Sequence, residues 1–161
     1  MSMSQAVVTK LNGAFAASVL DVKEHRGEVT VTVKKEEIVA ICQFLKDEAG
    51  YNFLCDLCGV DYLDQEPRFM VVYNMYNIAT KERLRVKVLV TEEGANVDTV
   101  STVWSTANWH ERECWDLMGI SFNDHPDLRR ILMPADWEGH PLRKDYPLQG
   151  PDRELYQGRI S

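Results

Sequence analysis

The chain has no apolar run near the roughly 20 residues that a bilayer-spanning helix needs, because charge interrupts every candidate stretch. Entry into a membrane by the chain alone is not expected. It is short of positive charge, with 18 Lys and Arg against 25 Asp and Glu and a formal net charge of −7. A nucleic-acid surface needs clustered cations to displace counterions from phosphates, so nucleic acid is excluded as an expected partner. Cysteine is scarce, and of the four present only Cys55 and Cys58 form a C-x2-C pair. A closed zinc or iron–sulfur site needs four ligands, and neither Cys42, Cys114 nor a histidine makes a second close pair. The pair reads first as small buried hydrophobes on a strand. A small thiol or metal enzyme using Cys55 and Cys58 is the alternative. Also missing are a Gly-rich phosphate loop, a G-x-S-x-G elbow, an H-E-x-x-H helix and a nucleotide fingerprint. The first ten residues lack the pattern of a secretory signal and the arginines of a transit peptide, which makes a cytoplasmic protein the simplest expectation.

What is present suits one globular domain: 45% hydrophobic and 27% charged residues, without repeats or Gly/Ser-rich linkers. Apolar spacing at Val7, Val8, Leu11, Phe15 and Val19 predicts a helix within 4–20. Strands are predicted over 18–23 and 28–33, around a turn at His25-Arg26-Gly27. A helix over 35–48 follows, stopped by Gly50. Three strands are then expected at 53–63, 68–77 and 83–90, the last two antiparallel. Residues 97–104 read as another helix. Asn108 and Glu111 have the spacing of a capping box for a helix over 109–118, closed by Gly119. Beyond it, Pro126, Pro134, Pro141, Pro147 and Pro151 predict mostly extended chain. This order predicts an α+β, two-layer domain: a mixed sheet of about five strands covered on one face by helices, followed by an extended Pro/Arg-rich C-terminal segment. Within it, residues 1–96 form the α+β core, 97–148 pack on that core, and 149–161 are a partner-binding tail.

Residues 111–147 concentrate acids, bases and aromatics. An enzyme reading would begin from Glu111, Glu113 and Asp116 with His110, His125 or His140 as acid–base partners. Of the three acids, only Glu113 and Asp116 have the three-residue spacing that makes helical neighbours. With no accompanying motif, an independent active site is not expected. His125 and His140 each precede a proline, which favours extended backbone and a structural role. Arg112, Arg129, Arg130, Arg143 and Arg153, interleaved with Trp109, Trp115, Trp137 and Tyr146, have the arginine-plus-aromatic composition of interface hot spots.

The order of these residues resembles the signature of the 30 kDa subunit family of respiratory complex I, the proton-pumping NADH:quinone oxidoreductase. The resemblance is carried by Glu111-Arg112-Glu113, Trp115-Asp116-Leu117-Met118-Gly119, Asp124-His125-Pro126, Asp127-Leu128-Arg129-Arg130 and the run from Asp136-Trp137 through His140-Pro141-Leu142-Arg143-Lys144-Asp145-Tyr146-Pro147. Trp104, Ala107 and Trp109 keep its upstream spacing, and Gly59-Val60-Asp61-Tyr62 is similar to the family's central strand. Cys114 departs from the aliphatic or hydroxyl residue more usual there, and the C-x2-C is no part of the signature.

The resemblance implies a non-catalytic, cofactor-free structural subunit of the hydrophilic arm of NADH:quinone oxidoreductase. FMN, Fe-S clusters, NADH and quinone would belong to the rest of the complex. Its partners would be other arm subunits, especially the large quinone-site subunit and the small subunit that bears the terminal Fe-S cluster. It would sit peripherally on the cytoplasmic face of the inner membrane, touching the membrane only through the complex. The alternative within this class is a related ferredoxin- or deazaflavin-dependent quinone oxidoreductase. Expected subunit-interface residues are Glu111, Arg112, Glu113, Asp116, His125, Arg129, Arg130, Trp137, His140, Arg143, Lys144, Asp145 and Tyr146.

Overall fold

The computed structural model describes residues 3–149, so most of the tail at 149–161, including Pro151 and Arg153, lies outside the described residues. Helix α1 (Met3–Phe15) leads into strands β1 (Val19–His25) and β2 (Glu28–Val33). Arg26 and Gly27 both have positive φ, the paired left-handed conformation that joins two strands tightly. A short 3-10 turn precedes α2 (Ile38–Asp47). Its buried residues are Ile38, Ile41, Cys42 and Leu45, the i, i+3, i+4, i+7 stripe of an amphipathic helix. Each large aliphatic on that stripe contributes about 1.5–3 kcal/mol by leaving water.

Strands β3 (Phe53–Asp61), β4 (Phe69–Asn77) and β5 (Glu82–Val90) complete a sheet of order β1-β2-β5-β4-β3. The β2–β5 pair is parallel and the other three pairs are antiparallel, as a mixed sheet requires. One face is the core: Val29, Val31 and Val33 sit beside Leu84, Val86 and Val88, which sit beside Val71, Tyr73 and Met75, all buried. Helices α1 and α2 cover that face, joined by edge-to-face Phe15 and Phe44 rings at 5.5 Å and by the Lys10 ammonium on the Glu48 carbonyl at 3.0 Å.

Several expectations are corrected. Residues 97–104 are not a helix. Asn96–Asp98 form strand β6, paired in parallel with β7 (Ser121–Asn123), and turns follow to Val103. Val97, Val100 and Val103 are buried, so an i, i+3 spacing that suits a helix is met by a strand end and two turns. Helix α3 (Ala107–Met118) starts after Thr106, without a side-chain cap, and Glu111 does not close a capping box. The Gly59-Val60-Asp61-Tyr62 segment ends β3, with Tyr62 just past it, and β3 is an edge strand rather than a central one. Cys55 and Cys58 are exposed rather than buried, and a bulge between Leu54 and Asp56 sets Cys55 out of register.

Helix α3 crosses β3 at Gly59. A β-carbon there would lie 2.9 Å from the Cys114 sulfur and 3.1 Å from Met118, so only glycine permits the approach. Gly59→Val is expected to lower unfolding free energy by about 1–3 kcal/mol through overpacking, measured by chemical denaturation, with Gly59→Ala giving a smaller loss.

Candidate docking site

Helix α3 ends at Gly119, which takes a left-handed conformation (φ 74°) and donates its N–H to the Trp115 carbonyl at 2.8 Å. The next three carbonyls have no helical donor left. The extended segment that returns past the helix supplies one to each. His140 Nδ1–H donates to the Asp116 carbonyl at 2.9 Å, the Leu142 N–H to Leu117 at 2.9 Å, and Arg143 Nε–H to Met118 at 2.8 Å. Arg130 also reaches the Asp116 carbonyl, at 3.2 Å. Cationic arginines at the negative end of a helix gain from its dipole as well.

The side chain of Asp116 binds the same segment. It is fully buried; Oδ2 accepts the N–H groups of Ile131, Leu132 and Met133 at 3.0, 2.8 and 2.9 Å, and Oδ1 accepts Arg130 at 2.5 Å. Burial alone would raise this carboxyl. The Met133 amide, the Arg130 guanidinium and the Ile131 and Leu132 amides outweigh that and hold it below the ordinary carboxylate value. Arg130 extends the link with bonds to the Trp137 and Gly139 carbonyls at 2.8 and 3.1 Å. Arg112 does the same one turn earlier, donating to the Arg129 and Arg130 carbonyls at 3.2 and 3.3 Å beneath the Trp109 ring.

A second anchor ties the end of the segment to the sheet. Arg68 is buried and grips Asp61 through two bonds at 2.8 and 2.9 Å, while pairing with Glu92 and with Asp145 at 2.9 Å. Asp61 Oδ2 also accepts the Lys144 N–H at 2.8 Å, across 83 residues of chain. Arg68 holds both Asp61 and Asp145 below their ordinary values. The guanidinium groups of Arg68 and Arg143 both stack on Phe69, at 4.9 and 5.1 Å.

Glu111 is buried deepest. Its oxygens accept the Thr99 hydroxyl and, at 2.8 Å, the Val100 N–H, which is why it caps no helix. Burial pushes its carboxyl up to about 7, because the Thr99 and Val100 bonds only partly compensate. His125 lies 3.7 Å away. Its Nδ1 accepts the Asp127 N–H at 3.0 Å, so the ring proton sits on Nε2 and is donated to the Asn108 carbonyl at 3.1 Å. That arrangement makes His125 a neutral structural ring, its side chain wholly enclosed.

Of the interface residues expected from sequence, Glu111, Arg112, Asp116, His125, Arg130, His140, Arg143 and Asp145 are therefore brought together by contacts inside the chain. The side chains of Glu113 and Lys144 stay exposed, and among the described residues the Arg129 side chain pairs with Asp127, beside it. Trp137, Lys144 and Tyr146 line an open groove of about 550 Å³ with Leu142 and Leu148. Tyr146 packs over Gly139, whose φ of 81° and lack of a β-carbon make room for the ring. Sequence reading did not single out Asp61, Arg68, Glu92 or Thr99. Asp61 carried a usable signal, since it continues the inward alternation of Leu57 and Gly59 and a charge in that register needs a partner. Among the described residues no three His, Cys, Asp or Glu side chains are grouped to hold a metal. The site binds backbone and guanidinium groups of its own chain, and Glu111, Asp116 and Asp61 are buried within it.

Known proteins share both the sequence pattern and the fold. The family model described as "Respiratory-chain NADH dehydrogenase, 30 Kd subunit" matches residues 31–152. The chain belongs to that family. It is 66% identical to the C-type subunit of NADH-quinone oxidoreductase from Geobacter metallireducens over the full length of both, and 49% identical to that of Roseiflexus castenholzii over 88% of this chain and 83% of the relative. Among solved structures it is similar to a trypsin-resistant fragment of Nqo5 (31% identity, TM-score 0.69, 78% of this chain and 99% of that one). It shares its fold with a chain of an archaeal membrane-bound sulfane sulfur reductase (20% identity, TM-score 0.78, 89% of this chain and 85% of that one).

Two outcomes are expected. Asp116→Ala should lose about 3–5 kcal/mol, because Arg130 and three amides lose their acceptor. Trypsin cleavage after Arg129 and Arg130 should accelerate with it. Glu111 gives a pH signature. Its folded value lies above the ordinary 4.5, so the folded state holds a proton that the unfolded state has released between pH 4.5 and about 7. Stability should fall across that window as pH rises, and Glu111→Gln should flatten the slope in a series of melts.

Proposed function

We propose that the chain is a non-catalytic, cofactor-free subunit of the peripheral arm of NADH:quinone oxidoreductase, carrying no active site and bracing the subunits that do. The observation that carries this is the full-length 66% identity to a protein named as a subunit of that enzyme, together with a signature whose buried acids and arginines bind the chain's own backbone. In such a complex, electrons would run from NADH through flavin and iron–sulfur clusters of other subunits to quinone. Transfer rates fall steeply with distance between centres. A scaffold that fixes the register of its neighbours therefore acts on turnover without touching an electron.

The partners in this reading are the large quinone-site subunit and the small subunit with the terminal cluster, and the chain lies on the cytoplasmic face of the membrane through them. No helix among the described residues is long and apolar enough to cross a membrane, which suits attachment through partners. Docking falls to the side chains the fold leaves outside. Trp109, 61% exposed and backed by Arg112, marks one end, and the groove with Leu142, Tyr146 and Leu148 marks the other. The same fold in a sulfane sulfur reductase means that fold alone does not choose the reaction of the complex. Full-length identity to a relative named for NADH favours NADH over ferredoxin or a deazaflavin. A thiol enzyme on Cys55 and Cys58 is disfavoured, because partial desolvation of the Cys58 sulfur by its neighbours, exposed though the residue is, and the nearby Asp56 push its thiol up, away from the thiolate.

The test is purification through a tag on this chain from detergent-extracted membranes. Flavin- and cluster-bearing subunits with NADH-dependent quinone reduction are expected; a chain recovered alone would end the proposal. Leu148 is fully exposed, so Leu148→Glu should leave the melting temperature of the isolated chain unchanged while lowering recovery of the complex several-fold. Trp109→Ala should behave alike.

A further inference from the structure

Helices α1, α2 and α3 lie on one side of the sheet, and no described element covers the other. A bare face is ordinary for antiparallel strands and identifies nothing by itself. Its charges are less ordinary. Register sets Arg83, Arg85 and Lys87 of β5 in a file down this face, between Thr30 and Thr32 of β2 and Tyr76, Asn74 and Val72 of β4. The acids of the face are all engaged: Asp21 with Lys23 at 3.1 Å, Glu28 with Arg85 at 3.1 Å, and Asp56 with Asn74 at 3.4 Å. Arg85 is committed in turn to Asn74, Thr30 and Glu28. Arg83 and Lys87 have no side-chain hydrogen bond or ion pair with any described residue. Thus the unpaired charges in this file are both positive, on a chain whose net charge is −7.

Past Lys87 the face becomes apolar. Val60, Met70 and Leu89 form one cross-strand row, and Val72 beside them is 7% exposed. At the other end Arg83 lines a cavity of about 310 Å³ with Cys55, Asn74 and Arg85. From Leu89 to Arg83 is about 20 Å at strand rise, the length of roughly 13 helical residues.

We infer that this face docks an acidic amphipathic segment of a neighbouring polypeptide, its apolar side on Val60, Met70 and Leu89 and its carboxylates on Lys87 and Arg83. The inference rests on the reading of the chain as a subunit and adds a second contact surface to it, on the layer opposite the groove. Charge argues for the occupant. On a chain of net charge −7, an acidic segment gains by binding where two unpaired cations stand in one file beside an apolar row. Nucleic acid would also meet cations and an aromatic ring here, but two unpaired cations neutralise few phosphates, and the apolar row of Val60, Met70 and Leu89 offers a phosphate backbone nothing.

The test uses the assembled complex, purified through this chain with a photo-crosslinking residue in place of Thr32. The expected product is a crosslink to one segment of another subunit rich in Asp and Glu at helical spacing. Arg83→Glu with Lys87→Glu should cut its yield at least tenfold, and Arg83→Lys with Lys87→Arg should retain it. Neither side chain holds the fold, so the charge-reversed chain should melt as the parent does. A crosslink to a basic or neutral segment, to a second copy or to nucleic acid would overturn the inference. So would an intact complex without a crosslink, which leaves the subunit reading standing. A parent chain that purifies without partners would remove both.

Discussion

The last turn of α3 exposes carbonyls that nothing further along the helix can reach, and a buried Asp116 points its carboxylate to the same side. Unmet, those acceptors would have to remain in water. The segment at 128–146 meets them instead, through three consecutive amides, two arginines, a histidine and one further backbone donor. Extended chain with frequent prolines has little hydrogen bonding of its own, so the needs of helix and segment are complementary. Much of what the signature consists of follows from that match.

Buried ion pairs of this kind are a weak source of net stability, because desolvation takes back most of the Coulomb gain. Their effect is placement. Arg130 joins Asp116 to the carbonyls of Trp137 and Gly139, and Asp61 with Arg68 pins Lys144 and Asp145 to the sheet edge. A segment held at both ends shows Leu142, Tyr146 and Leu148 outward in one arrangement. For a protein whose proposed work is to keep others in register, a surface that does not wander is the useful property.

Strand β5 and helix α2 were legible because each has one wet face and one dry face, so period alone identifies them. Residues 97–104 misled for a related reason. Valines three apart fit a helix face, yet here each turns inward from a strand end or a tight turn that the adjacent β7 stabilises, a partner more than 20 residues away. Glu111 shows the same limit. Its spacing from Asn108 suits a local cap, while its position on the Ala107–Cys114–Met118 stripe sends it into the core toward Thr99.

Family membership, the α+β class, the antiparallel pairing of β4 with β5 and the residue types of the signature were written in the sequence, because periodicity and motif order are local and additive. Which of those charges would turn inward was decided only by the tertiary structure. A carboxylate or guanidinium gives no sign of its partner until the chain brings donor and acceptor within about 3 Å, and here the separations run from 7 to 83 residues. The same closure leaves Trp109, Leu148 and the cations of β5 outside, which is why the surface available to partners had to be read from the fold.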